Sequence, residues 1–173
     1  RLGINLIKLL RNNMRLNLII LSISASTLLC QIITNGNITM DPKNKTDKEW
    51  KESLSSESYN VLRKKGTEPP GTGKYYHHDD DGIYYCMGCG NPLFDSNTKY
   101  DSGSGWPSFW KPVDTSALTE SDDFSLFMRR TEIQCSKCGG HLGHIFEDGP
   151  QPTGIRYCIN SSALQFKKIS DKE

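Results

Sequence analysis

Two copies of one short pattern, Cys86-Met87-Gly88-Cys89-Gly90 and Cys135-Ser136-Lys137-Cys138-Gly139, are the most chemically informative residues of the chain. Two residues between thiols let one tight turn present both sulfurs to an ion, and two such turns complete a tetrahedral four-thiolate site that suits zinc. The glycine after each pair is free to take positive φ and turn its N–H back toward a sulfur, offsetting thiolate charge. The competing readings are disulfides or a single redox C-x-x-C, and neither calls for a duplicated motif ending in glycine. With no histidine in the set, the expected zinc ion is structural and staples two distant loops.

Cys158 stands apart, in Gly154-Ile155-Arg156-Tyr157-Cys158-Ile159-Asn160-Ser161. Strand alternation puts Ile155, Tyr157 and Ile159 on one face and Arg156, Cys158 and Asn160 on the other. A guanidinium and an amide beside a thiol lower its pKa and make it nucleophilic; a small buried core thiol is the alternative. His141-Leu142-Gly143-His144 follows the second cysteine pair and supplies two of the four histidines, natural proton donors near neutral pH. His77 and His78, beside an acidic run, read as solvated surface. In Asp101-Ser102-Gly103-Ser104-Gly105-Trp106-Pro107-Ser108-Phe109-Trp110, three large rings follow a glycine-rich stretch. Such rings are core in most contexts, but on a loop they can also wall a pocket for a small apolar group.

Short elements must hold these residues. The chain has 173 residues, 35% hydrophobic and 24% charged, which suits one polar globular domain and excludes a polytopic membrane protein, a coiled coil or a collagen. Of its 21 bases, four fall in residues 1–40, which contain no acid; the remaining 17 face 20 acids, a net charge of −3. A body so close to neutral has no broad field for nucleic acid. Trp50, Leu54, Tyr59, Val61 and Leu62 predict helix between Glu49 and Lys65, with a break near Ser53, Ser55 and Ser56. Gly66 to Gly71, with two prolines, must end it. Beyond Lys74, aromatic and β-branched runs at Gly82–Tyr85, Phe124–Glu132 and Ile155–Phe166 predict antiparallel strands between turn clusters.

Arg15 followed by the apolar run Leu16–Ile33 has the pattern of a secretory signal peptide, and is long enough for an anchor. Secretory or endoplasmic-reticulum targeting is the favoured expectation; a mitochondrial presequence, or a cytoplasmic product starting at Met40, are the others. The expected organisation is a targeting segment over 1–40, a polar linker over 41–52 and a catalytic domain over 53–173.

The chain resembles the B-type methionine-R-sulfoxide reductases from about Leu54 through Phe166. The resemblance rests on Lys65-Gly66-Thr67-Glu68-Pro69-Pro70, both cysteine pairs, Gly105-Trp106-Pro107-Ser108-Phe109, Met128-Arg129-Arg130-Thr131-Glu132, His141-Leu142-Gly143-His144 and Arg156-Tyr157-Cys158-Ile159-Asn160-Ser161. It implies a mainly β fold, two antiparallel sheets in a barrel-like arrangement preceded by helices. It also implies repair of oxidised proteins or peptides: Cys158 is the nucleophile that attacks the sulfoxide sulfur and becomes a sulfenic acid. His144, with His141 and a held water, matches the groups that protonate the oxygen, and Asn160 matches an organiser of that network. Trp106 packs on the substrate methyl, Phe146 is a second ring near that pocket, and Arg156 supports the thiolate.

One position departs from the pattern. Many relatives carry a cysteine between the glycines before Trp-Pro, where it resolves the sulfenic acid as a disulfide; here it is Ser104. Cys30 is a possible substitute, and direct reduction of Cys158 by thioredoxin or another thiol reductant is the favoured route. A monomer without nucleic-acid partners is expected. A zinc-ribbon interaction module, the rival from another class, explains the cysteine pairs but gives no reason for Trp106, His141, His144 and Cys158. A thiol–disulfide oxidoreductase using one C-x-x-C is the third reading.

Overall fold

The computed structural model describes residues 41–124 and 129–169. The apolar segment within 1–40, Cys30 included, and residues 125–128 of the expected Phe124–Glu132 strand lie outside the described residues. Among the described residues, no helix is long and apolar enough to cross a membrane.

Chain order runs from helices to strands. Thr46 caps α1 (Asp47–Ser53) in a reciprocal capping box: its side chain accepts from the Glu49 N–H, and the Glu49 carboxylate accepts from the Thr46 N–H. Ser55 caps α2 (Ser56–Lys64), whose buried stripe is Ser58, Tyr59, Val61 and Leu62. The expected break between helices thus falls at Leu54 and Ser55. The expected linker over 41–52 is corrected: a 3-10 turn (Pro42–Asn44) and α1 occupy it, because Trp50, only 2% exposed, anchors α1 in the core. α2 ends at Lys65, which takes the left-handed conformation at φ 56°. That turn aims the Lys65 side chain at Glu132, 2.7 Å from its carboxylate.

Among the described residues, nine strands form two antiparallel sheets. β1 (Gly82–Cys86) lies between β2 (Pro92–Asp95) and β9 (Leu164–Lys168). The second sheet has the order β3-β4-β8-β7-β6-β5, from β3 (Lys99–Tyr100), β4 (Ser108–Phe109), β5 (Leu118–Asp123), β6 (Arg130–Cys135), β7 (His141–Phe146) and β8 (Arg156–Ile159). Both sheets are open, so they face one core without closing a barrel. Phe94 of the first sheet stacks on Phe109 of the second at 4.4 Å, and Tyr84 meets Phe109 edge-on at 5.1 Å. Leu93, Ile133, Leu142, Ile159 and Leu164 complete this interior. Each such side chain contributes about 1.5–3 kcal/mol on burial.

Two expected strands are shorter than the pattern suggested. Ile155–Phe166 divides into β8, a 3-10 turn (Ser161–Ala163) and β9, because β8 pairs with β4 and β7 whereas β9 crosses to β1. β6 begins only at Arg130, and Phe124 is 69% exposed. His78 is also corrected: it is half-buried, packed edge-on against Phe166 at 4.3 Å, and its Nδ1 hydrogen-bonds the Tyr84 hydroxyl at 2.8 Å.

Candidate active site

Register across the second sheet lines up one row of side chains. Tyr100 pairs with Ser108, Ser108 with Cys158, Cys158 with His144, His144 with Glu132 and Glu132 with Ser121. Cross-strand partners share a face, so β3 to β5 all contribute to one polar stripe. A cleft of about 100 Å³ opens over its middle, walled by Trp106, His144, Phe146, Cys158 and Asn160, five of the residues expected from sequence, with Thr67, Arg130 and Gly143 completing it. Larger hollows of about 480 and 610 Å³ lie beside Glu68 and across Ile145 and Tyr157, and neither is lined by a cysteine or a histidine.

Trp106 is held by its ring nitrogen, which donates to the Glu68 carbonyl at 3.0 Å. Glu68 is the hub of this wall. Its N–H donates to Asn160 Oδ1 at 3.1 Å, and its buried carboxylate accepts from the N–H of Ser161 (2.6 Å), the N–H of Ser162 (3.0 Å) and the Ser162 hydroxyl (2.6 Å). Asn160 Nδ2 donates to the Leu142 carbonyl at 3.0 Å, so both ends of this amide are spent on backbone and fix β7 against the end of β8.

His144 Nε2 lies 2.8 Å from Asp123, which also takes the Arg130 guanidinium at 2.8 Å. His141 does not line the cleft; its ring sits 5.5 Å behind that of His144. It is 3% exposed, its Nδ1 is 2.7 Å from Glu132, and its Nε2 has no hydrogen-bond partner among the described residues. Burial pushes the His141 pKa below its ordinary value, against the pull of Glu132. Burial acts upward on Glu132, but hydrogen bonds from Lys65, Gln134, His141 and Ser121 outweigh it and hold the carboxyl at about 2. The pair is therefore a carboxylate and a neutral imidazole at neutral pH, with the Nδ1 proton on the Glu132 side.

Arg156 does not reach the cleft either. Its Nε and a terminal nitrogen donate to the two Asp148 oxygens, both at 2.8 Å, and its guanidinium lies 4.3 Å from the centre of the Phe146 ring. It braces Phe146 from outside. Its charge does act downward on the Cys158 pKa, as expected, but the expected net lowering is corrected: burial, the largest cause, pushes the thiol up, and the Ser104 hydrogen bond and Arg156 only partly oppose that. A thiolate here is desolvated, which makes it scarcer but more reactive per molecule. Ser104 Oγ stands 3.8 Å from Cys158 Sγ.

The two cysteine pairs meet away from this cleft. All four sulfurs lie within 4.8 Å of one another, with Cys86–Cys138 at 3.7 Å and Cys89–Cys135 at 3.6 Å. Zn–S bonds near 2.3 Å in a tetrahedron put sulfurs about 3.8 Å apart, so the set fits a zinc ion and is far too open for disulfides. Hydrogen bonding among the closely packed sulfurs pushes the Cys86 and Cys138 thiols up and draws Cys135 down. Gly90 and Gly139 both take φ 69°, as expected, but each N–H donates to the carbonyl of the first cysteine in its turn, Cys86 at 2.9 Å and Cys135 at 2.8 Å, and not to a sulfur.

A protein-family model described as the SelR domain matches residues 54–168. A curated peptide methionine sulfoxide reductase MsrB of Hahella chejuensis is 58% identical over 127 residues, 73% of this chain and 91% of the relative. Those of Acinetobacter baylyi and Leptospira interrogans are each 58% identical, covering 92% and 95% of the relative. The chain belongs to the SelR family.

In this SelR domain, Glu68, Asp123 and Arg130 are polar residues at or beside the site to which the sequence analysis assigned no role. Glu68 and Arg130 lie inside motifs that carried the resemblance, yet neither has a local pattern that reveals its partner. Asp123 has no motif at all; only β5–β6 register, which pairs it with Arg130, exposes it.

Proposed function

We propose that the protein reduces the R epimer of methionine sulfoxide in proteins or peptides to methionine, repairing oxidative damage. The observation that carries this reading is the cross-strand pair Cys158–His144 at the floor of a cleft walled by Trp106 and Phe146. A cleft of about 100 Å³ suits the end of a methionine side chain, not a whole cofactor. Trp106 receives the methyl, Cys158 faces the sulfur, and the sulfoxide oxygen points to His144, so only one arrangement around sulfur satisfies all three. The Cys158 thiolate attacks the sulfur, and His144 delivers a proton to the departing oxygen. The oxygen passes as hydroxyl to the Cys158 sulfur as the bond between the two sulfurs breaks, so the sulfoxide gains two electrons and leaves as methionine while Cys158 becomes a sulfenic acid. His141, held by Glu132, buttresses His144, and Asn160 fixes the strand end that carries Cys158.

Ser104 has no thiol with which to resolve that sulfenic acid. An external thiol condenses with it to a mixed disulfide and water; a second thiol then releases Cys158 and forms the reductant's own disulfide. Thioredoxin or another dithiol suits this role, with Cys30 the chain's own possible contributor. Cys86, Cys89, Cys135 and Cys138 would hold one zinc ion. Bound there, it supplies a closed structural cross-link with no open position for substrate. A monomer is sufficient, since one domain contains the whole cleft. Delivery to the secretory pathway or endoplasmic reticulum is supported by Arg15 and the Leu16–Ile33 run, with the mitochondrion and, from Met40, the cytoplasm as the other destinations. A zinc-ribbon binding module leaves the Cys158 cleft without a purpose, and the slightly acidic body disfavours nucleic acid.

The test is turnover of separated R and S sulfoxide epimers in a peptide, with dithiothreitol or a thioredoxin system, by wild type and Cys158→Ser. Reduction of R alone, abolished by the substitution while bound zinc is unchanged, is the expected result. A folded, metal-loaded protein inactive on both epimers would refute the proposal.

A further inference from the structure

Ser104 does more than vacate the place of a thiol. Gly103 at φ 68° and Gly105 at φ 93° swing the loop inward on either side of it, and Gly105 is clamped by a hydrogen bond from the Gly71 N–H at 2.8 Å. A side chain at Gly105 would meet Pro70 at 2.7 Å, so the loop has one seat against the 67–73 strap. Seated so, Ser104 Oγ accepts from the Ser102 hydroxyl at 2.9 Å and from the Trp106 N–H at 3.4 Å. Ser102 Oγ in turn meets Ser108 Oγ at 2.7 Å, and Ser108 is fully buried opposite Cys158 in the β4–β8 register. A hydroxyl has one proton. With both acceptor positions of Ser104 filled, its own proton has two places to go: the Trp106 carbonyl at 3.4 Å, or Cys158 Sγ at 3.8 Å, an ordinary distance for a sulfur acceptor.

We propose that Ser104 is a catalytic residue in its own right, the donor that stabilises the Cys158 thiolate at the end of the hydroxyl chain Ser108–Ser102–Ser104. Deprotonation of the thiol turns the Ser104 proton from the weakly placed carbonyl to the sulfur, and a hydrogen bond to an anion is stronger than one to a neutral acceptor. The hydroxyl thereby offsets part of the burial that raises the thiol. The other titratable and charged groups facing Cys158 are Arg156 and, through it, Asp148, with Tyr100 along the row, His144 across the β7–β8 pair and Arg130 in the cleft wall. None of them lies on the Ser104 loop, so its contribution is separable. The inference rests on Cys158 being the nucleophile, but its test does not require turnover.

The experiment follows alkylation of Cys158 by iodoacetamide against pH, read at that residue by peptide mass mapping on the full, metal-loaded chain. Ser104→Ala is expected to move the midpoint upward by about one pH unit, the scale of one hydrogen bond to a charged group. Near neutral pH the rate should fall only about fourfold, because a more basic thiolate is also more nucleophilic. Ser104→Thr, which keeps the hydroxyl, should retain the wild-type midpoint; it also carries the test should the alanine variant fold poorly. A midpoint the same in wild type and Ser104→Ala, or raised equally by Thr and Ala, overturns the inference. The expected shift in a protein that reduces no sulfoxide would instead overturn the proposed function and leave the role of Ser104 standing.

Discussion

Replacing Glu132 by Gln tests how the buried end of the polar row is held. Glu132 is 2% exposed and contacts Lys65 (2.7 Å), His141 (2.7 Å) and Ser121 (3.0 Å). Holding its carboxyl at about 2 in place of the ordinary 4.5 corresponds to about 3 kcal/mol at about 1.4 kcal/mol per unit. Lys65 is 64% exposed and water screens its charge, so about 2 kcal/mol remains. The sign follows from proton counting. The folded pKa is depressed, so the contribution is complete above 4.5 and is lost as pH falls toward 2. Glutamine has no such dependence. The stability gap between wild type and Glu132→Gln, measured by urea unfolding, should be about 2 kcal/mol near pH 6 and should narrow as pH falls below 4.5. The comparison is confined to pH values at which both proteins keep their metal, because its release would unfold the domain. A gap that stays constant, or widens on acidification, would refute the assignment of Glu132 as a buried carboxylate held by its hydrogen bonds.

Removing the metal, by chelation or by Cys135→Ser, should unfold the domain at room temperature, since about 10 kcal/mol of structural zinc binding matches the whole stability of a typical domain; circular dichroism with metal analysis reads this, and Cys158→Ser should keep both fold and metal. Asp148→Asn breaks the paired bonds that brace Arg156 against Phe146. Because Asp148 is largely exposed, stability should change by less than about 1 kcal/mol, while KM for the sulfoxide peptide rises about threefold and kcat changes little.

What the sequence made legible was local. Each cysteine pair, Trp106, and the Arg156-Tyr157-Cys158 alternation lie within a few residues of the feature that explains them, and their placement follows from turn and strand geometry. What it hid was contact between distant segments. Lys65 reaches Glu132, and Glu68 reaches Asn160 and Ser161, across 67, 92 and 93 residues, and no pattern along the chain encodes such pairs. The start of α1 escaped for another reason: the expected helix began only at Glu49, because Asp47 and Lys48 are charged and add nothing to a periodic signal, although the Thr46–Glu49 capping box was there to be read. The net effect of burial on Cys158 depends on packing density around the sulfur, which alternation cannot supply.

The four cysteines that could hold a metal ion all precede Cys158 in the chain, and β9, which completes the first sheet, comes after it. Synthesis from the N-terminus therefore produces all four of these thiols before Cys158. An ion captured at that stage would join the Cys86 and Cys135 turns before β8 can pair, and would remove those thiols from competition. On the proposed function the order of residues would act as a schedule: the sulfurs that hold the ion would be out of reach before the one that is oxidised in each turnover arrives.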